Sequence, residues 1–163
     1  MKDRKLELKF RMAHLSELDT LEQNLIVSAQ DSLKNAYAPY SGFLVGASVL
    51  LEDGCIISGS NQENVAYPSG LCAERVAFFH AGANFPNIKI SAVAVSVFSK
   101  SFEVTDVISP CGACRQVMAE YEDKQEAPIK VILHSPNDQV LIADRVQDLL
   151  PFMFKSPHLK MHQ

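Results

Sequence analysis

Residues 88–98 read Ile88-Lys89-Ile90-Ser91-Ala92-Val93-Ala94-Val95-Ser96-Val97-Phe98. This run is nearly continuous in apolar residues, as expected of a central strand covered on both faces. Helices must then lie on both sides of the sheet, and the flanking sequence supplies them. Upstream, Leu18, Leu21, Leu25, Ala29, Leu33 and Ala36 recur at steps of three and four, the mark of an amphipathic helix. Ser16 is the expected N-cap, Asp19 adds negative charge to the first turn, and Pro39 with Ser41-Gly42 ends the helix. Residues 43–51 and 55–60 are β-rich and joined by Glu52-Asp53-Gly54, a hairpin signal. A polar loop over 61–71 leads to a helix over 72–82, with Gly82 as its expected stop.

Downstream, a second helix is expected from Cys111, just after Pro110. Strands follow over 129–134 and 139–143, with Ser135-Pro136-Asn137-Asp138 turning between them. Residues 145–150 form a short helix closed by Pro151. Leu6, Leu8 and Phe10 alternate with charged residues, as in a short strand or a packing arm. The expected architecture is therefore α/β, a mixed sheet with helices on both faces. All 163 residues suit one domain, with an extra amino-terminal segment over 1–15 and a polar tail over 155–163.

Composition narrows the function. Hydrophobic residues make up 47% and charged ones 21%, with a formal net charge of −4. No basic cluster follows the first eleven residues, so a phosphate-rich nucleic acid partner is not expected. Nothing reads as a secretory signal or a membrane span, which predicts a cytoplasmic protein. In that reducing setting the four cysteines point to metal binding or catalysis before a disulfide.

Cys111-Gly112-Ala113-Cys114 is the sharpest local feature. Positions three apart share a face on a first helical turn, so both sulfurs can meet one ion. Cys72, at the start of another helix, is the natural third ligand. Zinc in a catalytic site commonly keeps three protein ligands and one open position. Two other uses of these thiols fit the same spacing: a redox pair, or a closed structural site with Cys55 as fourth ligand. Glu74 separates the readings. A carboxylate two residues from a ligand has little purpose in a structural site, whereas a hydrolytic site needs one. A glutamate in a first helical turn also complements the dipole, which is its plainer explanation.

Cys72-Ala73-Glu74-Arg75 followed by Pro110-Cys111-Gly112-Ala113-Cys114-Arg115-Gln116 closely resembles the cytidine deaminase family in its short, three-cysteine zinc form. The likeness runs from about residue 31 to 154, through Tyr40-Ser41, Val45-Gly46-Ala47, Asn61-Gln62-Glu63-Asn64, Tyr67-Pro68 and Leu149-Leu150-Pro151. It implies a three-layer α/β/α fold with a mixed five-stranded sheet. It also implies one zinc ion per subunit on Cys72, Cys111 and Cys114, with Glu74 as the catalytic proton carrier. The implied reaction is hydrolytic deamination of cytidine or deoxycytidine, in pyrimidine salvage, by a homotetramer with shared sites.

By the same resemblance Asn61 and Glu63 bind the ribose hydroxyls, Phe43 stacks on the pyrimidine, and the Ala73 backbone reads the base with Glu74. Tyr67 and Phe154 reach sites across subunit interfaces, and Arg75 leans on a thiolate, with Arg115 as a second source of positive charge. Each has a plainer use: Asn61 and Glu63 as loop residues, Phe43 and Phe154 as core aromatics. A deaminase of the same fold acting on another amine, such as blasticidin S, and a non-catalytic zinc module are the competing readings. Val65, where the family commonly has alanine, and Asn137-Asp138-Gln139, in place of a glycine-containing turn, depart from the family pattern.

Overall fold

In the computed structural model, which describes residues 1–156 and 159, six strands form one sheet. They are β1 (Phe10–His14), β2 (Phe43–Leu51), β3 (Ile56–Ser60), β4 (Ile90–Ser99), β5 (Lys130–His134) and β6 (Gln139–Ala143), in the order β1-β6-β5-β4-β2-β3. The helices are α1 (Thr20–Ser32), α2 (Ala73–Asn84) and α3 (Gly112–Gln125). Only β4 and β5 pair in parallel; every other neighbour is antiparallel, so the sheet is mixed as expected.

Alternation along the strands sorts the apolar side chains into two cores. Val49, Leu51, Val93, Val95, Val131 and Leu133 pack with Ala77, Phe78 and Ala81 of α2 and Met118 and Ala119 of α3. Leu50, Ala92, Ala94, Ile132, Val140 and Ile142 point the other way, onto Leu25, Ile26 and Ala29 of α1. The continuous apolar run of β4 is thus consumed on both faces.

The sheet has six strands where the family resemblance implied five. The extra one is β1, the end of the alternating amino-terminal segment, paired along β6 from Phe10 opposite Ala143 to His14 opposite Gln139. Two helix boundaries also differ. Asp19, not Ser16, caps α1: its carboxylate accepts from the Glu22 N–H at 2.8 Å, and the Glu22 carboxylate accepts from the Asp19 N–H at 3.3 Å. That reciprocal box competes better for the first turn than a lone serine. Gly82 does not stop α2. It lies inside the helix, where a Cβ would come within 2.2 Å of the Tyr121 hydroxyl of α3. Part of the 155–163 tail, with His158 and His162, falls outside the described residues.

Two close approaches hold helices to the sheet. A Cβ on Gly46 would sit 2.0 Å from the Ala29 carbonyl of α1, and one on Gly59 would sit 2.6 Å from the Ala77 nitrogen of α2. Glu122, buried near the end of α3, accepts from the backbone N–H groups of Ile129, Val146 and Gln147 at 2.8, 2.7 and 3.0 Å. It ties α3 to β5 and to the turn after β6. Gly59→Ala is expected to lift α2 from β3, because backbone atoms cannot swing aside. The expected loss is ~1–3 kcal/mol of stability, read from urea unfolding; an unchanged midpoint would show that the helix relaxes freely.

Candidate metal centre and pocket

Helix α2 follows β3 and helix α3 follows β4, and both lie on the same face of the sheet. Their first turns therefore arrive together. Cys72 is the N-cap of α2, Cys111 is the N-cap of α3, and Cys114 lies buried in the first turn of α3. The Cys72 and Cys111 sulfurs are 3.9 Å apart, Cys111 and Cys114 are 3.5 Å apart, and all three lie within 4.8 Å of one another. Thiolates around tetrahedral zinc with ~2.3 Å bonds lie ~3.8 Å apart. The donor set and its spacing fit that ion. Cys55 sits exposed after the β2–β3 turn and is not part of this cluster, so it supplies no fourth thiolate.

The surroundings of Cys72 favour its thiolate. The Cys72 thiol is lowered to about 5, first by its hydrogen bond with Cys114 and further by Arg75, against the opposing effect of burial. Cys114, the other half of that hydrogen-bonded pair, is pushed up by the same contact and by burial. The Arg75 guanidinium lies 3.6 Å from the Cys72 sulfur and 3.3 Å from the Gly70 carbonyl. Two helix N-termini add positive potential at the same point. Arg115 serves differently from the sequence expectation. It donates to the carbonyls of Pro110 at 2.7 Å and Leu149 at 3.3 Å, fixing backbone beside the site with no bond to sulfur among the described residues.

Glu74 is only 4% exposed, in the first turn of α2. Burial, the largest cause, raises its carboxyl above the ordinary glutamate range, and the neighbouring Cys72 charge adds to the effect. With Cys72 and Cys111 it lines a pocket of about 690 Å³. Val45, Val95 and Val97 supply apolar walls from β2 and β4, and Ile108 and Pro110 close another side. The loop between β3 and α2 is folded back by paired backbone bonds between Gln62 and Leu71, at 2.8 and 2.9 Å, which brings Asn61 and Glu63 to the same cavity.

Asn61, 9% exposed, is held at both ends of its amide: Oδ1 accepts from the Val45 N–H at 2.8 Å, and Nδ2 donates to the Phe43 carbonyl at 2.9 Å. Glu63 accepts from the Ser41 hydroxyl at 2.5 Å and from the Tyr40 and Ser41 N–H groups at 2.9 and 3.3 Å. Phe43 and Tyr67 also line the pocket. The Phe43 ring stacks at 5.9 Å on Phe102, while Tyr67, 76% exposed, meets Tyr40 edge-on. Ala73 is fully buried at the start of α2. Phe154 does not line this cavity. The residue is 71% exposed, and its backbone is clamped by Gln116 through two 2.9 Å bonds. Sequence alone assigns Ser41, Gln116 and Phe102 no part in the site, because a hydroxyl, an amide and a loop aromatic carry no spacing signal.

The match to known proteins agrees with this layout. Residues 19–127 match the family model for the cytidine and deoxycytidylate deaminase zinc-binding region. A cytidine deaminase of Sporosarcina psychrophila is 44% identical over 102 residues, 61% of this chain and 68% of that protein. A probable cytidine deaminase of Dictyostelium discoideum is 33% identical over 138 residues, 84% of this chain and 86% of that one. Among solved structures, the cytidine deaminase of Burkholderia pseudomallei superposes with a TM-score of 0.70 at 38% identity, covering 80% of this chain and 97% of that chain.

Glu63 yields a direct test of these electrostatics. Its carboxyl is held below the ordinary value, chiefly by the Ser41 hydroxyl and further by the Tyr40 and Ser41 N–H groups, with burial opposing. The stability this adds is present above the ordinary glutamate range and lost as pH falls through the lowered value. Ser41→Ala is expected to move the Glu63 titration upward in a carboxyl-carbon NMR experiment; no movement would assign the lowering to the backbone donors alone.

Proposed function

The chain belongs to the cytidine and deoxycytidylate deaminase family, and from that membership and its site we infer how its residues divide the work of deamination. The activity is zinc-dependent hydrolysis of cytidine or deoxycytidine to the uridine product and ammonia. The observation that carries the assignment is a cluster of three sulfurs, two of which, on Cys72 and Cys111, line a single nucleoside-sized pocket together with one buried carboxyl.

Cys72, Cys111 and Cys114 would hold one zinc ion per subunit. Zinc in such a setting acidifies a bound water so that it attacks near neutral pH. Glu74 takes a proton from the attacking water and passes it to the ring nitrogen next to the amine-bearing carbon. The water oxygen bonds to that carbon, Glu74 then takes the remaining proton from the new hydroxyl and delivers it to the amine, and the carbon–nitrogen bond breaks as the oxygen becomes the product carbonyl and ammonia leaves. Burial suits this role, because a raised carboxyl is a stronger base and holds the proton between the two transfers. Arg75 offsets the charge of the thiolates.

Asn61 and Glu63 would bind the ribose, their positions fixed by β2 and by Ser41. Phe43 would stack on the base, and the Ala73 backbone would read its polar edge. Two exposed aromatics, Tyr67 and Phe154, support assembly as a homotetramer in which they complete neighbouring sites. The enzyme would then act in pyrimidine salvage in the cytoplasm; no helix among the described residues is long and apolar enough to cross a membrane.

Glu74→Gln is expected to retain zinc by atomic absorption and to lose turnover by about 10²–10⁴-fold. Substantial residual turnover would remove the acid from its role. Parallel assays of ammonia release from cytidine, deoxycytidine and blasticidin S are expected to show activity on the two nucleosides only. Preference for blasticidin S would replace the ribose reading of Asn61 and Glu63.

A further inference from the structure

The strand that made the sheet six-membered, β1, lies at its edge, bonded to β6 on one side only. Preceding it, residues 1–9 form no regular secondary structure and are exposed throughout. The sequence of arm and strand alternates strictly: Leu6, Leu8, Phe10 and Met12 on one face, and Lys5, Glu7, Lys9 and Arg11 on the other. All four apolar residues are exposed. An edge strand with an uncovered apolar row is a template for another strand.

We propose that this edge binds the same segment of a second copy of the chain, as an antiparallel strand pair centred on Leu8. The occupant follows from the charges. In this register Leu8 faces its counterpart and Leu6 faces Phe10, so three of the four apolar residues meet apolar ones and only Met12 meets a charge, on Arg4. Glu7 faces Lys9, and by symmetry does so twice. Lys5 faces Arg11, but the Arg11 guanidinium is already bonded to Asp144 at 2.5 Å, which neutralises it. Centring the pair on Leu6 keeps the charges matched but sets Arg4 against Leu8 and Lys2 against Phe10, leaving the apolar row uncovered. Centring it on Glu7 sets Glu7 against itself and Lys5 against Lys9, which is destabilising. Centring it on Lys9 pairs Leu6 with Met12 and Leu8 with Phe10, but sets Lys9 against itself at the centre and leaves Glu7 only an Arg11 already bonded to Asp144. The pairing is isologous and closes after two copies.

Disulfide trapping tests the register without depending on any other contact between subunits. In zinc-loaded protein carrying Cys55→Ser, Leu8→Cys is expected to give a covalent dimer under mild copper-catalysed air oxidation, and Leu6→Cys is not. Adding Glu7→Lys to Leu8→Cys is expected to slow cross-linking on the order of tenfold, by turning two attractive pairs repulsive. Adding Lys9→Glu as well is expected to restore it. No dimer at Leu8→Cys would overturn the pairing. Equal trapping at Leu6→Cys, or a double charge exchange slower than the single one, would overturn the register.

Discussion

Three sulfurs from two helices can meet at one point only if the helices begin there, and the rest of the molecule is arranged around that demand. The chain meets it with two crossovers on one face of the sheet. β3 delivers α2 and β4 delivers α3, with β2 between the strands as a common antiparallel partner. Gly59 lets α2 settle to backbone distance on β3, and Gly82 lets α3 press Tyr121 against α2. Glu122 secures the far end of α3. Removing a side chain at two positions and burying a charge at a third are local costs. They are offset by the rigidity with which both first turns are aimed.

The pocket contains two carboxylates used in opposite ways by their surroundings. Glu74 has lost water and gained a neighbouring negative charge, so it is biased toward holding a proton. Glu63, less enclosed and supplied with three donors from Tyr40 and Ser41, is biased toward staying ionised. One residue type thus yields a carboxyl biased toward holding a proton and a fixed hydrogen-bond acceptor within the same cavity. The contrast arises from the backbone: Glu74 is on a buried helix face, and Glu63 is on a loop folded over amide donors.

Much of the architecture was legible because periodicity reports burial. The β4 run, the β2–β3 hairpin and the two cysteine-led helices lie within a few residues of where their patterns place them. What spacing could not report was competition between local hydrogen bonds. Ser16 and Asp19 are both good caps, and the reciprocal bonds with Glu22 decided between them. Gly82 read as a terminator because its partner, Tyr121, is 39 positions away. Asn61 and Glu63 could be named from resemblance to a family, but not the bonds that orient them, which depend on β2 and on Ser41 across a long loop. Arg115 carries a charge that the sequence offered to the metal, yet the folded chain spends its donors on two carbonyls.

Gln116 stands two positions beyond Cys114 and holds Phe154 by both its backbone N–H and its carbonyl. The Phe154 backbone is therefore tied to the same first turn of α3 that carries Cys111 and Cys114, although the residue itself is exposed. A surface aromatic near the carboxyl end of the chain is thus anchored, through one amide, to the turn that brings two of the three sulfurs together.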